Sequence, residues 1–151
     1  MIEFRNSITI NIPVEGAFDF VANAENLPLW NYYIKSVTKI ESGSGLGVRY
    51  RQIRKHDEQT FEVTQYEQHK VIELTTIPNA SLYAKRRMIF SAVAGGTTVE
   101  DNFALDTGYP SFLQKLFQGR IRRAVRQNLE ILKTLLETGH ATLQDGRVVR
   151  I

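Results

Sequence analysis

The sequence contains no cysteine, which excludes disulfides, thiolate nucleophiles and every cysteine-based zinc or iron–sulfur site. Its three histidines, His56, His69 and His140, are scattered, so a histidine metal cluster is not expected either. No stretch approaches the roughly 18–20 apolar residues that cross a bilayer. The N-terminal "MIEFRNSITI" lacks a basic region followed by an apolar run, and the expectation is a soluble, cytoplasmic chain that is not exported. The net charge of +3 is too mild to name nucleic acid as a partner. "SGSGLG" at 42–47 joins two strand-like segments and lacks the lysine of a phosphate-binding loop, so nucleotide binding is not expected from it.

What is present suits one domain: 151 residues, 42% hydrophobic and 23% charged, build a sizeable core and leave little room for a second. Residues 2–12 place Ile2, Phe4, Ile8, Ile10 and Ile12 on even positions with polar residues between them, the signature of a half-buried strand. Pro13 then opens a short helix in which Val14, Ala17, Phe18 and Val21 recur at helical spacing. Pro28 limits "AENLPLWN" to a second brief helix or turn, ending near Trp30.

From 33 to 107 about six strands follow, separated by turn residues at 42–47, 56–59, 67–70, 77–81 and 94–96. Val48, Tyr50, Gln52 and Arg54 share the inward face of one of them. The 67–70 turn is expected to pair Tyr66 with Val71, Val63 with Leu74 and Phe61 with Thr76. A turn at 93–96 pairs Phe90 with Val99, Met88 with Asp101 and Arg86 with Phe103. The longest helical pattern runs from "FLQKLF" to "LLE", with Ser111 as candidate cap and Gly139 as stop. Leu113, Phe117, Ile121, Ala124, Asn128, Leu132 and Leu135 form its inner stripe, and Lys115, Arg122, Arg126, Glu130 and Lys133 lie elsewhere. The expected organisation is a domain over 1–138 followed by a C-terminal tail, 139–151, either disordered or forming an edge hairpin through "QDGR".

These elements make an α+β chain: a curved antiparallel sheet of about seven strands, two short helices after the first strand, and a long C-terminal helix covering the sheet's apolar face. Curvature between such a sheet and one helix leaves room for a cavity.

The stretches "ITINIPVEGAFDFVANAENLPLWNYYIKSV", "GSGLGVRYRQ", "FEVTQYEQ", "FSAVAGGTTVE" and "NLEILKTLLE" resemble the polyketide cyclase/dehydrase-like branch of the SRPBCC superfamily, which includes START and birch-pollen-allergen-like proteins. The resemblance spans residues 6–138. It implies a helix-grip fold with an internal cavity for a hydrophobic or amphipathic small molecule, and no universal catalytic residue. "EQHK" departs from the pattern, where relatives often carry proline after the acidic residue, and this bears on the turn alone.

Inward polar groups orient a ligand in a mostly apolar cavity, which singles out Tyr50, Gln52, Arg54, Thr76, Arg86, Asp101 and Asn128. Val63, Leu74, Met88, Phe90, Phe103, Phe117 and Ile121 supply apolar wall, and Trp30 is either its floor or core packing. Tyr109 and Phe112, before and at the start of the long helix, form either a gate or a packing staple. Asn128 either contacts ligand or bonds a strand carbonyl. Asp101 is the anomaly, a carboxylate on the apolar face of "TTVEDNFAL". Arg86 lies one diagonal step away on the adjacent strand, so a structural pair is the favoured reading, since a lone buried carboxylate is costly. A ligand-orienting or acid–base role and a register error are the alternatives.

The leading functional expectation is binding or transport of a hydrophobic or aromatic molecule (lipid, polyketide or quinone-like), without metal or cofactor. One alternative is a cofactor-independent cyclase or dehydratase using Asp101 with Arg86 or Tyr50. Another is a non-catalytic interaction protein presenting Arg120, Arg122, Arg123 and Arg126, a run that also invites a phosphate or membrane-surface reading against the plainer one of a solvated face. Nucleic acid is not expected, because no aromatics interleave with these arginines. Oligomer formation stays open.

Overall fold

The computed structural model of the chain describes residues 1–77 and 82–151. The turn expected at 77–81 lies outside the described residues from 78 on. Seven antiparallel strands form one sheet: β1 (Ile2–Ile10), β2 (Ile34–Lys39), β3 (Arg49–Arg54), β4 (Glu58–Glu67), β5 (Val71–Thr76), β6 (Tyr83–Val93) and β7 (Gly96–Asp106). Their order is β1-β7-β6-β5-β4-β3-β2, a meander whose last strand takes the first as its neighbour. Between β1 and β2 lie α1 (Val14–Ala22) and a 3-10 helix (Ala24–Leu29), and α2 (Ser111–Thr138) follows β7. This is the α+β helix-grip architecture that the sequence predicts.

Alternation sets the faces. Ile2, Asn6 and Ile10 of β1 are buried, with Thr97, Val99 and Asp101 of β7 beside them. Asn6 belongs to the inward set although its neighbours made the polar positions look outward. At the β6–β7 turn Gly95 has φ +81°, and the chain passes so close to β1 that a Cβ on Gly96 would lie 2.2 Å from the Ile10 carbonyl oxygen. Glycine is required there by space. The expected β6–β7 register holds at every pair: Phe90 with Val99, Met88 with Asp101, Arg86 with Phe103.

Between β4 and β5 the expectation is one residue out at the turn. Tyr66 pairs with Ile72, and Glu67 with Val71, whereas Val63–Leu74 and Phe61–Thr76 pair as expected. A bulge at Thr64 absorbs the difference, its hydroxyl lying 2.7 Å from both the Glu73 carboxylate and the Thr75 hydroxyl.

Helix α2 starts with Ser111 inside the helix. Pro110 takes the capping position without a side-chain bond, and Gln114 reaches back to the Tyr109 carbonyl at 2.7 Å. The buried stripe is Gln114, Val125, Asn128, Leu129, Leu132 and Leu135. Leu113, Ile121 and Ala124 are half-buried and Phe117 is exposed; Ile121 and Ala124 lie over a cavity and not over packed core. Gly139, in the left-handed region at φ 84°, closes the helix with its N–H on the Leu135 carbonyl.

Of the two forms expected for residues 139–151, disordered tail or hairpin through "QDGR", the hairpin is the one that forms, though not on the edge of the main sheet. β8 (His140–Thr142) and β9 (Val148–Arg150) pair with each other and leave the main sheet unextended. Ala141, Leu143 and Val149 enter the same core as Leu132 and Leu135. Three buried apolar side chains around a tight turn at Gly146 are what hold so short a hairpin in place. Among the described residues no helix is long and apolar enough to cross a membrane.

Candidate functional site

Between the sheet and the first half of α2 lies a cavity of about 410 Å³. Strands β3 to β7 contribute Gln52, Arg54, Gln59, Phe61, Leu74, Thr76, Ala84, Arg86, Phe103 and Leu105. The helix adds Arg120, Ile121, Ala124, Val125 and Asn128, and the segment around the 3-10 helix adds Leu27, Asn31, Tyr33 and Ile34. Most of this wall is apolar, and no carboxylate belongs to it.

The cavity meets Arg86, and behind it Asp101 is fully buried. Arg86 donates from Nε to Asp101 Oδ1 at 3.0 Å and from Nη2 to Oδ2 at 2.6 Å, a bidentate pair that occupies both carboxylate oxygens. The guanidinium carbon also sits 5.0 Å from the Trp30 ring centre and 5.5 Å from that of Phe103. Phe103 in turn stacks on Phe4 of β1, with ring centres 5.4 Å apart. The carboxylate thus sets the position of the arginine, which lines the cavity and keeps N–H groups beyond those that Asp101 takes.

The other polar wall residues divide by whether their bonds are already made. Thr76 uses its hydroxyl on the β6 backbone, accepting from the Ala84 N–H at 2.9 Å. Asn128 accepts from Gln144 of the hairpin turn at 3.2 Å, so its partner is a side chain and not a strand carbonyl. Arg54 is held at the rim by Asp57, at 2.6 and 2.7 Å, and that contact keeps the Asp57 carboxyl below its ordinary range. Gln59 differs: it is buried, pairs across the ladder with Gln52, and its amide nitrogen has no partner among the described residues. Arg120, exposed on α2, makes no ion pair among the described residues.

Of the residues the sequence singled out, the structure brings together Gln52, Arg54, Leu74, Thr76, Arg86, Phe103, Ile121 and Asn128 on this wall. Trp30, Met88 and Phe90 lie in the closed core. Trp30 approaches the site through Arg86, and its indole N–H has no partner among the described residues. Tyr50 and Val63 face a second, more polar groove of about 260 Å³ beside α1, with Asp19, Glu25 and Lys39 on its edge. Burial, and then the charge of Glu25, raises the Tyr50 hydroxyl above its ordinary range. Tyr109, Phe112 and Phe117 are exposed and off the wall, neither gate nor staple, since the start of α2 projects beyond the cavity. Gln59, Phe61 and Ala84 escaped the sequence reading, although Gln59 and Phe61 alternate with Val63 along β4. Among the described residues no group of histidines and carboxylates could hold a metal ion.

A family model described as polyketide cyclase/dehydrase and lipid transport matches residues 1–137. Among solved structures, the di-domain aromatase/cyclase StfQ of the steffimycin biosynthetic pathway superposes with a TM-score of 0.71 at 10% identity, covering 90% of this chain and 50% of that one. The Aha1 dimer from Colwellia psychrerythraea gives 0.70 at 18% identity, with 92% and 98% covered. DR_A0006 from Deinococcus radiodurans gives 0.69 at 21%, with 92% and 99% covered. At these identities the likenesses establish the fold. No match was found among curated protein sequences.

Proposed function

The chain belongs to the polyketide cyclase/dehydrase and lipid transport family, and we propose that its cavity binds a mainly apolar or aromatic small molecule carrying an acceptor oxygen. The observation that carries this reading is an apolar wall met by the Arg86 guanidinium: Arg86 lines the cavity, and Asp101 takes only two of its N–H groups. A ligand carbonyl, phenol or carboxylate placed against the others gains a charge-assisted hydrogen bond. The volume admits a small molecule of the size usual for such pockets.

The neighbouring StfQ is an aromatase/cyclase, but the cyclase or dehydratase alternative through Asp101 finds no support in this geometry. A general acid or base must reach the substrate's proton, and Asp101 lies behind Arg86 with both oxygens engaged. Trp30, the sole tryptophan, touches Arg86 and reports on the cavity. Titration with a long-chain fatty acid, a quinone and an aromatic polyketide is expected to alter its fluorescence for at least one of them. Ala124→Phe, which fills the wall from α2, is expected to abolish that response while leaving thermal stability near wild type. Absence of any response or bound mass across all three probes overturns the reading.

A further inference from the structure

The first half of α2 carries a surface that the cavity does not explain. From Ser111 to Leu129 the helix contains five basic residues, Lys115, Arg120, Arg122, Arg123 and Arg126, and no acid until Glu130. At its start three large apolar side chains stand in solvent: Tyr109 at 62%, Phe112 at 65% and Leu116 at 71% exposure. Phe112, Leu116, Gly119 and Arg123 succeed one another by three or four residues with Lys115 and Arg122 beside them, so one outer face runs from an apolar tip into a basic stem, and Arg126 beyond it is engaged by the Ser7 carbonyl and Glu130. The nearby acid Asp106 is engaged with the Gly108 N–H and the Gln114 amide. Gln118, one turn before Arg122, donates to the Glu3 backbone carbonyl.

We infer that this face seats the protein on an anionic lipid surface, with Phe112 and Leu116 in the headgroup layer and Lys115, Arg122 and Arg123 against lipid phosphates. An aromatic and aliphatic tip backed by a solvated basic stem is the pattern of an interfacial helix. The tip is three side chains, Tyr109, Phe112 and Leu116, against roughly 20–30 residues a side for a stable protein interface, and this suits reversible immersion better. Its position adds a reason: Arg120 and Ile121, on the turn that follows Leu116 and Phe117, line the cavity. A docked helix therefore brings the cavity's helical edge to the membrane, where an apolar ligand could pass without crossing water.

The inference is separable from the cavity reading, because docking needs only the outer stripe. Co-sedimentation with vesicles of phosphatidylcholine alone and of phosphatidylcholine enriched in phosphatidylglycerol tests it. Wild type is expected to sediment with the anionic vesicles, less so in high salt, and not with the neutral ones. Phe112→Ser with Leu116→Ser should lower partitioning at least about tenfold, and Arg122→Glu with Arg123→Glu about tenfold or more. All four positions are solvent-exposed, so both variants should melt as wild type, and Lys35→Glu, on β2, should sediment as wild type. Equal sedimentation with both vesicle types, or none with either, overturns the inference. Loss in the arginine variant with full retention in the Phe112/Leu116 variant also overturns it, because binding would then rest on charge alone with no immersed tip. Vesicle binding without any fluorescence response to the ligand probes would sink the cavity reading alone.

Discussion

The two halves of α2 follow the same helical period but are used in opposite ways. From Val125 onward the inner stripe of Asn128, Leu129, Leu132 and Leu135 is buried, and the hairpin's Ala141, Leu143 and Val149 share its core. The outer side of this half is tied down too: Lys133 donates to the Thr9 carbonyl at 2.6 Å and to Glu137 at 2.7 Å, and Glu137 accepts the Asn11 N–H at 2.7 Å. Upstream, Arg120, Ile121 and Ala124 line the cavity, which reaches on to Val125 and Asn128, while Phe112, Leu116 and Arg123 stand in solvent. Periodicity tells which residues share a side of a helix; whether anything lies beneath that side depends on where the sheet stops. The apolar core is concentrated from Leu129 onward, and the cavity wall lies across the middle of the helix.

The largest expected effect lies on the strands opposite the open half, at the buried ion pair. Arg86→Ala strands a fully buried carboxylate and should cost about 3–5 kcal/mol in urea unfolding, whereas Arg86→Met combined with Asp101→Leu should fall near wild type or above it. A similar loss in the double variant would mean that the pair itself, and not its disruption, sets stability. Next, Leu132→Ala should cost about 2–5 kcal/mol and Leu116→Ala no more than about 0.5; equal costs would erase the distinction between the halves. Gln59→Leu removes the unpartnered donor and should raise stability by about 1 kcal/mol. Loss of stability there would show that the amide is satisfied within the fold.

The smallest effect is a pH dependence in the closed half. Lys133, and then the Asn11 N–H, hold the Glu137 carboxyl below the usual glutamate range. Its folded value is the lower one, so the contribution is present above the unfolded value and fades as pH falls through the folded one. Because the group is largely solvated, the gain is under about 1 kcal/mol. Glu137→Gln should remove that slope from melting curves taken between neutral and acid pH.

The Arg86–Asp101 pair was legible because a two-residue turn with glycine fixes the β6–β7 register, and a carboxylate among Val99, Phe103 and Leu105 then has one cation within reach. The β4–β5 turn was not legible to the residue, since alternation is silent about a bulge that Thr64 absorbs with its own hydroxyl. Asn6 and Gln59 show a common loss: each lies in phase with buried neighbours, and polarity masked the phase. Tyr109, Phe112 and Phe117 failed as wall residues because aromatic character marks a side chain that can bury area, and the sequence carries no measure of how far the helix outruns the sheet.

The pairing of β1 with β7 also bears on how the chain reaches its structure. Ile8 meets Val99 and Ile2 meets Leu105, so the first strand has no neighbour until β7 has been made. Hairpins such as β6–β7 close over short loops, while this contact spans most of the chain and carries the larger closure entropy. The strand made first is therefore expected to be placed late, and Ile8→Ala should then speed unfolding and leave the refolding rate nearly unchanged.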